Sequence, residues 1–172
     1  MSEIVDRLQA MNRVLAIASL TTGIACGGSG IDPMKFDAVD AAAQALRGEA
    51  HTNDAGSARF DDRLKDFEKA IADADGRISG GREKAALRSY ADAAQTYQYF
   101  RRFRDLDRDA IGGMVLLRGS NRPVALRHAI PFEERGGGRW VDRKKAMDIF
   151  AAKADAEVAA VSRLVHGGAS HE

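Results

Sequence analysis

Apolar residues recur along most of this chain at alternating three- and four-residue steps, the period of a helix that buries one face. Ile4, Leu8, Met11, Leu15 and Ala18 form the first seam, in a helix expected over about 3–25. Charged residues fill its other face only as far as Arg13, so its second half is apolar all round and needs a core or a partner to cover it. The second helix, about 33–47, has Asp32 as N-cap, Pro33 in its first position and Phe36, Val39, Ala43 and Leu46 as its stripe, with Gly48 as its stop. A third, about 59–73, carries Phe60, Leu64, Phe67 and Ile71. The fourth, about 82–108, is the longest; Leu87, Tyr90, Ala94 and Tyr97 begin a face that Phe100, Phe103 and Leu106 continue in shifted phase.

The period then changes. Met114 to Leu117 is a short apolar run, Gly119 to Pro123 has turn chemistry, and Val124, Leu126, His128, Ile130 and Phe132 alternate strictly. That pattern predicts strand, turn and strand, and Gly136-Gly137-Gly138 offers a second turn into Arg139, Trp140 and Val141. Asp142 caps a last helix, about 142–166, with Met147, Phe150, Ala154, Val158, Val161 and Val165 on one face. The expected fold is mainly α. About five helices pack as an irregular bundle, in one domain over 1–172, with a short two- or three-stranded antiparallel β-meander (about 114–141) before the last helix.

Composition changes this picture little. The 172 residues are 45% hydrophobic and 30% charged, enough for a core without metal or disulfide staples. The net charge of +1 hides an asymmetry, because residues 101–145 hold 12 basic and 6 acidic side chains. A polyanion would be met there. The single cysteine, Cys26, excludes an intrachain disulfide and a cysteine zinc site. It follows the apolar run from Val14 to Ala25 in the outline of a lipoprotein signal, but the preceding segment lacks the positive bias of one. The expected location is cytoplasmic, with an exported protein lipid-anchored at Cys26 as the alternative and membrane contact only in that case.

Candidate chemistry is sparse. Asp73-Ala74-Asp75-Gly76, between two helices, has the outline of a calcium loop, yet Ile71 stands at its first ligand position and Glu83 falls one residue late for the closing ligand. The competing account is a tight Asp-Gly turn with Ser79 capping the next helix. A similar Asp-Gly-x-Ile-Ser turn occurs in bacterial helical bundles of the tellurite-resistance type, but this resemblance covers only about a dozen residues and carries no function over. Asp105, Asp107 and Asp109 lack the turn glycine and closing carboxylate of a calcium loop, and are expected to pair with neighbouring arginines. His128 is expected half-buried on the apolar face of its strand, where an acid–base role would need a partner that motif spacing does not supply. Glu133 and Glu134, as strand neighbours, should point to opposite faces rather than form a catalytic pair. Arg127, Arg135, Arg139, Trp140, Arg143 and Lys144 form the candidate anion or nucleic-acid surface around the glycine run. Its competitor is a flexible hairpin tip whose Trp140 packs back on the bundle.

With no catalytic set and no implied cofactor or metal, the sequence points to a non-enzymatic accessory, assembly or regulatory protein of bacterial or phage type, acting on another protein or on itself. A nucleic-acid or phosphate binder is the alternative. Self-association or docking on a partner is assigned to Ile4, Leu8, Met11 and Leu15, and a homo-oligomer is the expected outcome. Light scattering should show a lower mass for Leu8→Asp and Leu15→Asp variants that remain folded by circular dichroism; an unchanged mass removes that interface.

Overall fold

The computed structural model describes residues 30–52, 58–106 and 111–167. The expected first helix, its interface residues Ile4, Leu8, Met11 and Leu15, and Cys26 lie outside the described residues, as do Asp107 and Asp109. Asp32 accepts the Met34 N–H at 3.1 Å with Pro33 behind it, but the two cap a short 3-10 turn, Pro33–Lys35. The first α-helix, α1, follows Phe36 and runs Asp37–Ala50. Gly48 does not stop it. Its position is exposed and uncrowded, and the helix continues because Ala50 beyond it is buried.

Next come α2 (Ala58–Asp75) and α3 (Gly81–Arg104). Gly80, rather than Ser79, is the N-cap of α3 and gives it no side-chain cap. The helix closes at Arg104, four residues before the expected end, where Asp105 N–H turns back to the carbonyls of Arg101 and Phe103. The Arg104 guanidinium there reaches Asp61 of α2 at 3.0 Å and lies 5.4 Å over the Phe60 ring.

After a small sheet, Asp142 caps the last helix, Arg143–His166, accepting the Lys145 N–H at 2.9 Å. This helix, α5, follows a short α4 (Asn121–Arg127) and packs most extensively on α3. The first helix lies against α2 and α5, and α2 against α3, so the four long helices close a ring around one core. Val39, Leu46, Phe60, Leu64, Phe67, Tyr90, Tyr97, Phe103 and Phe150 are fully buried in it. A buried Leu or Phe contributes roughly 1.5–3 kcal/mol by leaving water, so these side chains supply most of the drive to fold.

Two buried phenols tie the ring together. Tyr97 of α3 donates to Asp155 of α5 at 2.6 Å, and the other Asp155 oxygen takes His51 Nε2, just past the end of α1, at 2.6 Å. Seven residues earlier on α3, Tyr90 donates to Asp40 of α1 at 2.5 Å, and Asp40 takes His166, at the end of α5, at 2.6 Å. Each set therefore links α3 to both α1 and α5, taking the carboxylate from one of them and the histidine at the C-terminal end of the other. Burial first, and the adjacent carboxylate second, push both phenols well above their ordinary range. They stay protonated donors.

The sheet holds β1 (Met114–Leu116), β2 (Glu133–Arg135) and β3 (Gly138–Asp142), all antiparallel, in the order β1-β3-β2. Three antiparallel strands do precede the last helix, but β1 lies beside β3 rather than β2, and the alternating stretch between them is not a strand. Asn121–Arg127 is a helix, α4. Pro123 sits in its first turn, where the missing N–H costs nothing. Burial follows helical spacing, with Ala125 at 0% exposure and Leu126, which alternation placed inside, at 47%. The helix ends in a Schellman motif, with Ile130 N–H bonded to Ala125 C=O and Ala129 N–H to Leu126 C=O. The left-handed residue of that motif is Ala129, at φ 53°, where glycine is usual.

Both open edges of the sheet are blunted. Outside β1, Met114 exchanges both backbone bonds with Ile111 across a two-residue Gly112-Gly113 turn. Outside β2, the strand itself is Glu-Glu-Arg and is preceded by Pro131, which lacks an N–H.

Two stability measurements follow. Ala129→Gly should raise stability in urea titration by about 0.5–1 kcal/mol by relieving the left-handed alanine. Asp155→Ala should cost about 1–3 kcal/mol by stranding the Tyr97 hydroxyl. Much of that loss should vanish in a Tyr97→Phe background; purely additive costs would remove the phenol as the cause.

Candidate functional site

The hairpin of β2 and β3 carries most of the unusual surface. Gly136 and Gly137 form its two-residue loop, with φ of 56° and 75°. Positive φ at both positions is what a type I′ turn demands, and glycine meets that demand without strain. Arg135 pairs with Gly138 directly beneath. The glycine run is thus a tight hairpin turn rather than a loose tip. Gly138 has a further reason to be glycine, since a Cβ there would lie 2.6 Å from Leu116 Cδ1.

Strand alternation sorts the side chains into two faces. Val115, Leu117 and Val141 are buried against the bundle. Met114, Leu116 and Trp140 point the other way and are only partly covered, with Ile111 beside them at 72% exposure. Trp140 does not pack back on the bundle. It lies in cross-strand register with Leu116, and its Nε1–H donates to Arg135 C=O at 3.2 Å. Together Ile111, Met114, Leu116, Trp140 and the glycine edge form a shallow groove of about 350 Å³, mostly apolar, with Arg135 on its rim. Behind the hairpin, toward α4, lies a more polar cleft of about 430 Å³ with Arg122, Arg139 and Glu134 over Leu117. Gly136, Gly137 and Gly138 border that cleft, and Gly136 and Gly138 also border the groove.

The expected anion-binding set is not gathered into one patch. Arg135 pairs with Glu133, Arg139 lies 3.3 Å from Glu134, and Lys144 is 2.7 Å from Asp148. Arg143 donates to the Arg104 carbonyl at 3.2 Å, and Arg127 is exposed on α4. Glu133 and Glu134 do diverge to opposite faces, each held by its own arginine. Arg122, which shares the rear cleft with Arg139, was missing from the sequence-based set because its stretch read as a turn.

His128 occupies the C-cap of α4 rather than a strand. Its ring packs edge-on against Tyr99 and Phe150, at centroid distances of 5.1 and 5.2 Å, and Lys153 Nζ lies 3.0 Å from its Nδ1. Burial, then Lys153 and Arg127, hold its pKa below the ordinary value, so the imidazole is a neutral acceptor for the lysine.

The degenerate calcium loop also disperses. Asp73 pairs with Lys69, Asp75 is exposed, and Glu83 turns away to Lys35 at 2.9 Å, which lowers its pKa. Among the described residues no group of three or more carboxylate, histidine or cysteine side chains is placed to hold a metal ion. No helix among them is long and apolar enough to cross a membrane. Asp105 does pair with an arginine, Arg104, at 2.8 Å.

Comparison with known proteins yields no matching family model, no matching curated protein and no matching solved structure.

In an NMR titration, His128 should become protonated only below the usual range near pH 6.5, and Lys153→Met should move that midpoint upward. Because the folded state disfavours its proton, the stability due to neutral His128 is complete above about pH 6.5 and declines as pH falls below it. A midpoint unmoved by Lys153→Met would discount the lysine.

Proposed function

We propose that this protein is a non-enzymatic interaction module, an accessory, assembly or regulatory subunit, whose contact surface is the outer face of the small sheet. One observation carries this: Met114, Leu116 and Trp140, with Ile111 beside them, share an open face of the sheet, away from the bundle core. An apolar patch maintained there lowers solubility and is worth keeping only if something covers it. A central Trp beside aliphatic side chains has the composition of an interface anchor.

Charge points to a different protein as the occupant. Residues 111–145 carry 8 basic and 3 acidic side chains, so two copies of this face would meet with like charge. The alternative of a nucleic-acid or phosphate surface is less well supported, because Arg135 and Lys144 already face carboxylates and Arg143 is turned to the Arg104 carbonyl.

Capture from host lysate with matched baits tests this. A partner held by the wild-type chain should be lost with Ile111→Asp and retained with Leu164→Asp, which alters an exposed leucine on α5. Both variants should keep the wild-type circular dichroism spectrum. Equal capture by all three baits would refute the sheet face as the contact surface.

A further inference from the structure

The groove and the rear cleft lie on opposite faces of the sheet and share a border at the hairpin tip, Gly136 and Gly138. Space beside the Cα atoms of Gly136 and Gly137 is open, so the ridge between the two depressions is one backbone high. It is also fixed in shape, since the type I′ loop closes directly on the Arg135 and Gly138 pair. On one side lies an apolar floor. On the other, Arg139 holds its guanidinium 4.8 Å over the Phe132 ring, with Arg122 lining the same cleft.

Arg139 is built to exchange partners. Its bond to Glu134 is long at 3.3 Å, and Glu134 is 70% exposed, so water screens the pair and makes it weak. The Phe132 ring beneath holds the guanidinium at the cleft. A second carboxylate could therefore be met by two N–H donors without reordering the side chain.

Resting on the docking surface proposed above, we infer that its occupant is an acidic, apolar peptide segment of a partner protein that straddles the hairpin tip. An apolar side chain fills the groove beside Trp140. A neighbouring Asp or Glu reaches over the glycines to Arg139 and Arg122. Excess positive charge around the hairpin favours such a segment before contact as well as after it.

The test is a random peptide library displayed on phage and panned against the full chain. Enriched peptides are synthesised and titrated by fluorescence, for which Trp140, the only tryptophan, is a reporter inside the groove. Expected are sequences that pair a large apolar residue with a nearby Asp or Glu and shift Trp140 emission. Changing that acid to its amide should weaken binding about tenfold or more, the worth of one charge-assisted hydrogen bond. Arg139→Gln with Arg122→Gln should weaken the acidic peptide similarly and leave the amide peptide unchanged.

Peptides that need Ile111 and Leu116 but are indifferent to the acid would overturn this inference and leave the docking surface standing. No enriched peptide, or none sensitive to Ile111→Asp, would count against both. So would a single-stranded oligonucleotide that quenches Trp140 and displaces the peptides, since it would make the hairpin a nucleic-acid site.

Discussion

Two tyrosine hydroxyls inside a helical bundle set the constraint on which its assembly depends. A buried O–H without an acceptor costs as much as several good contacts return. Tyr90 and Tyr97 solve this with Asp40 and Asp155, which come from α1 across the ring and from α5 beside α3. Those carboxylates then need donors of their own, and the histidines at the ends of α1 and α5 supply them. The solution is reciprocal. Neither α1 nor α5 can slide by a turn without leaving a hydroxyl or a carboxylate stranded, so the polar groups fix a register that apolar packing alone would define less sharply.

Long helices were legible in the sequence because each carries a seam several turns long. Their ends were not. Gly48 looked like a terminator, yet a stop depends on what lies beyond it, and here a buried alanine rewards one further turn. The stretch after Gly119 misled more seriously. Val124, Leu126, His128, Ile130 and Phe132 satisfy the period of a strand, but in a seven-residue helix two turns hold too few apolar positions to betray their own period. The residue that should have announced the helix end is Ala129, and it is not glycine. Strand order was also out of reach, since the position of β1 beside β3 is decided by long-range pairing.

Parts of the candidate site were readable and parts were not. The glycine run and Trp140 marked the hairpin as the place where composition changes. Which way the tryptophan faced depended on register, because a shift of one residue exchanges the two faces of a strand. With Val141 packed against the bundle, Trp140 has to point outward. The basic residues were visible as a cluster in sequence but not in space. Arg135, Arg139 and Lys144 acquired carboxylate partners from their own strand, the neighbouring strand and the next helical turn, which a charge count cannot reveal.

The blunted sheet edges bear on stoichiometry. Strand addition at a free edge is open-ended, since each added strand offers a new edge, and it ends in fibres as readily as in complexes. Here Met114 is already occupied by Ile111, and β2 enters behind a proline with charges on its flank. What stays accessible is a face of finite area, which is consumed when it is covered. Under the docking proposed above, such a chain would take up a partner by covering a face once, not by extending a sheet.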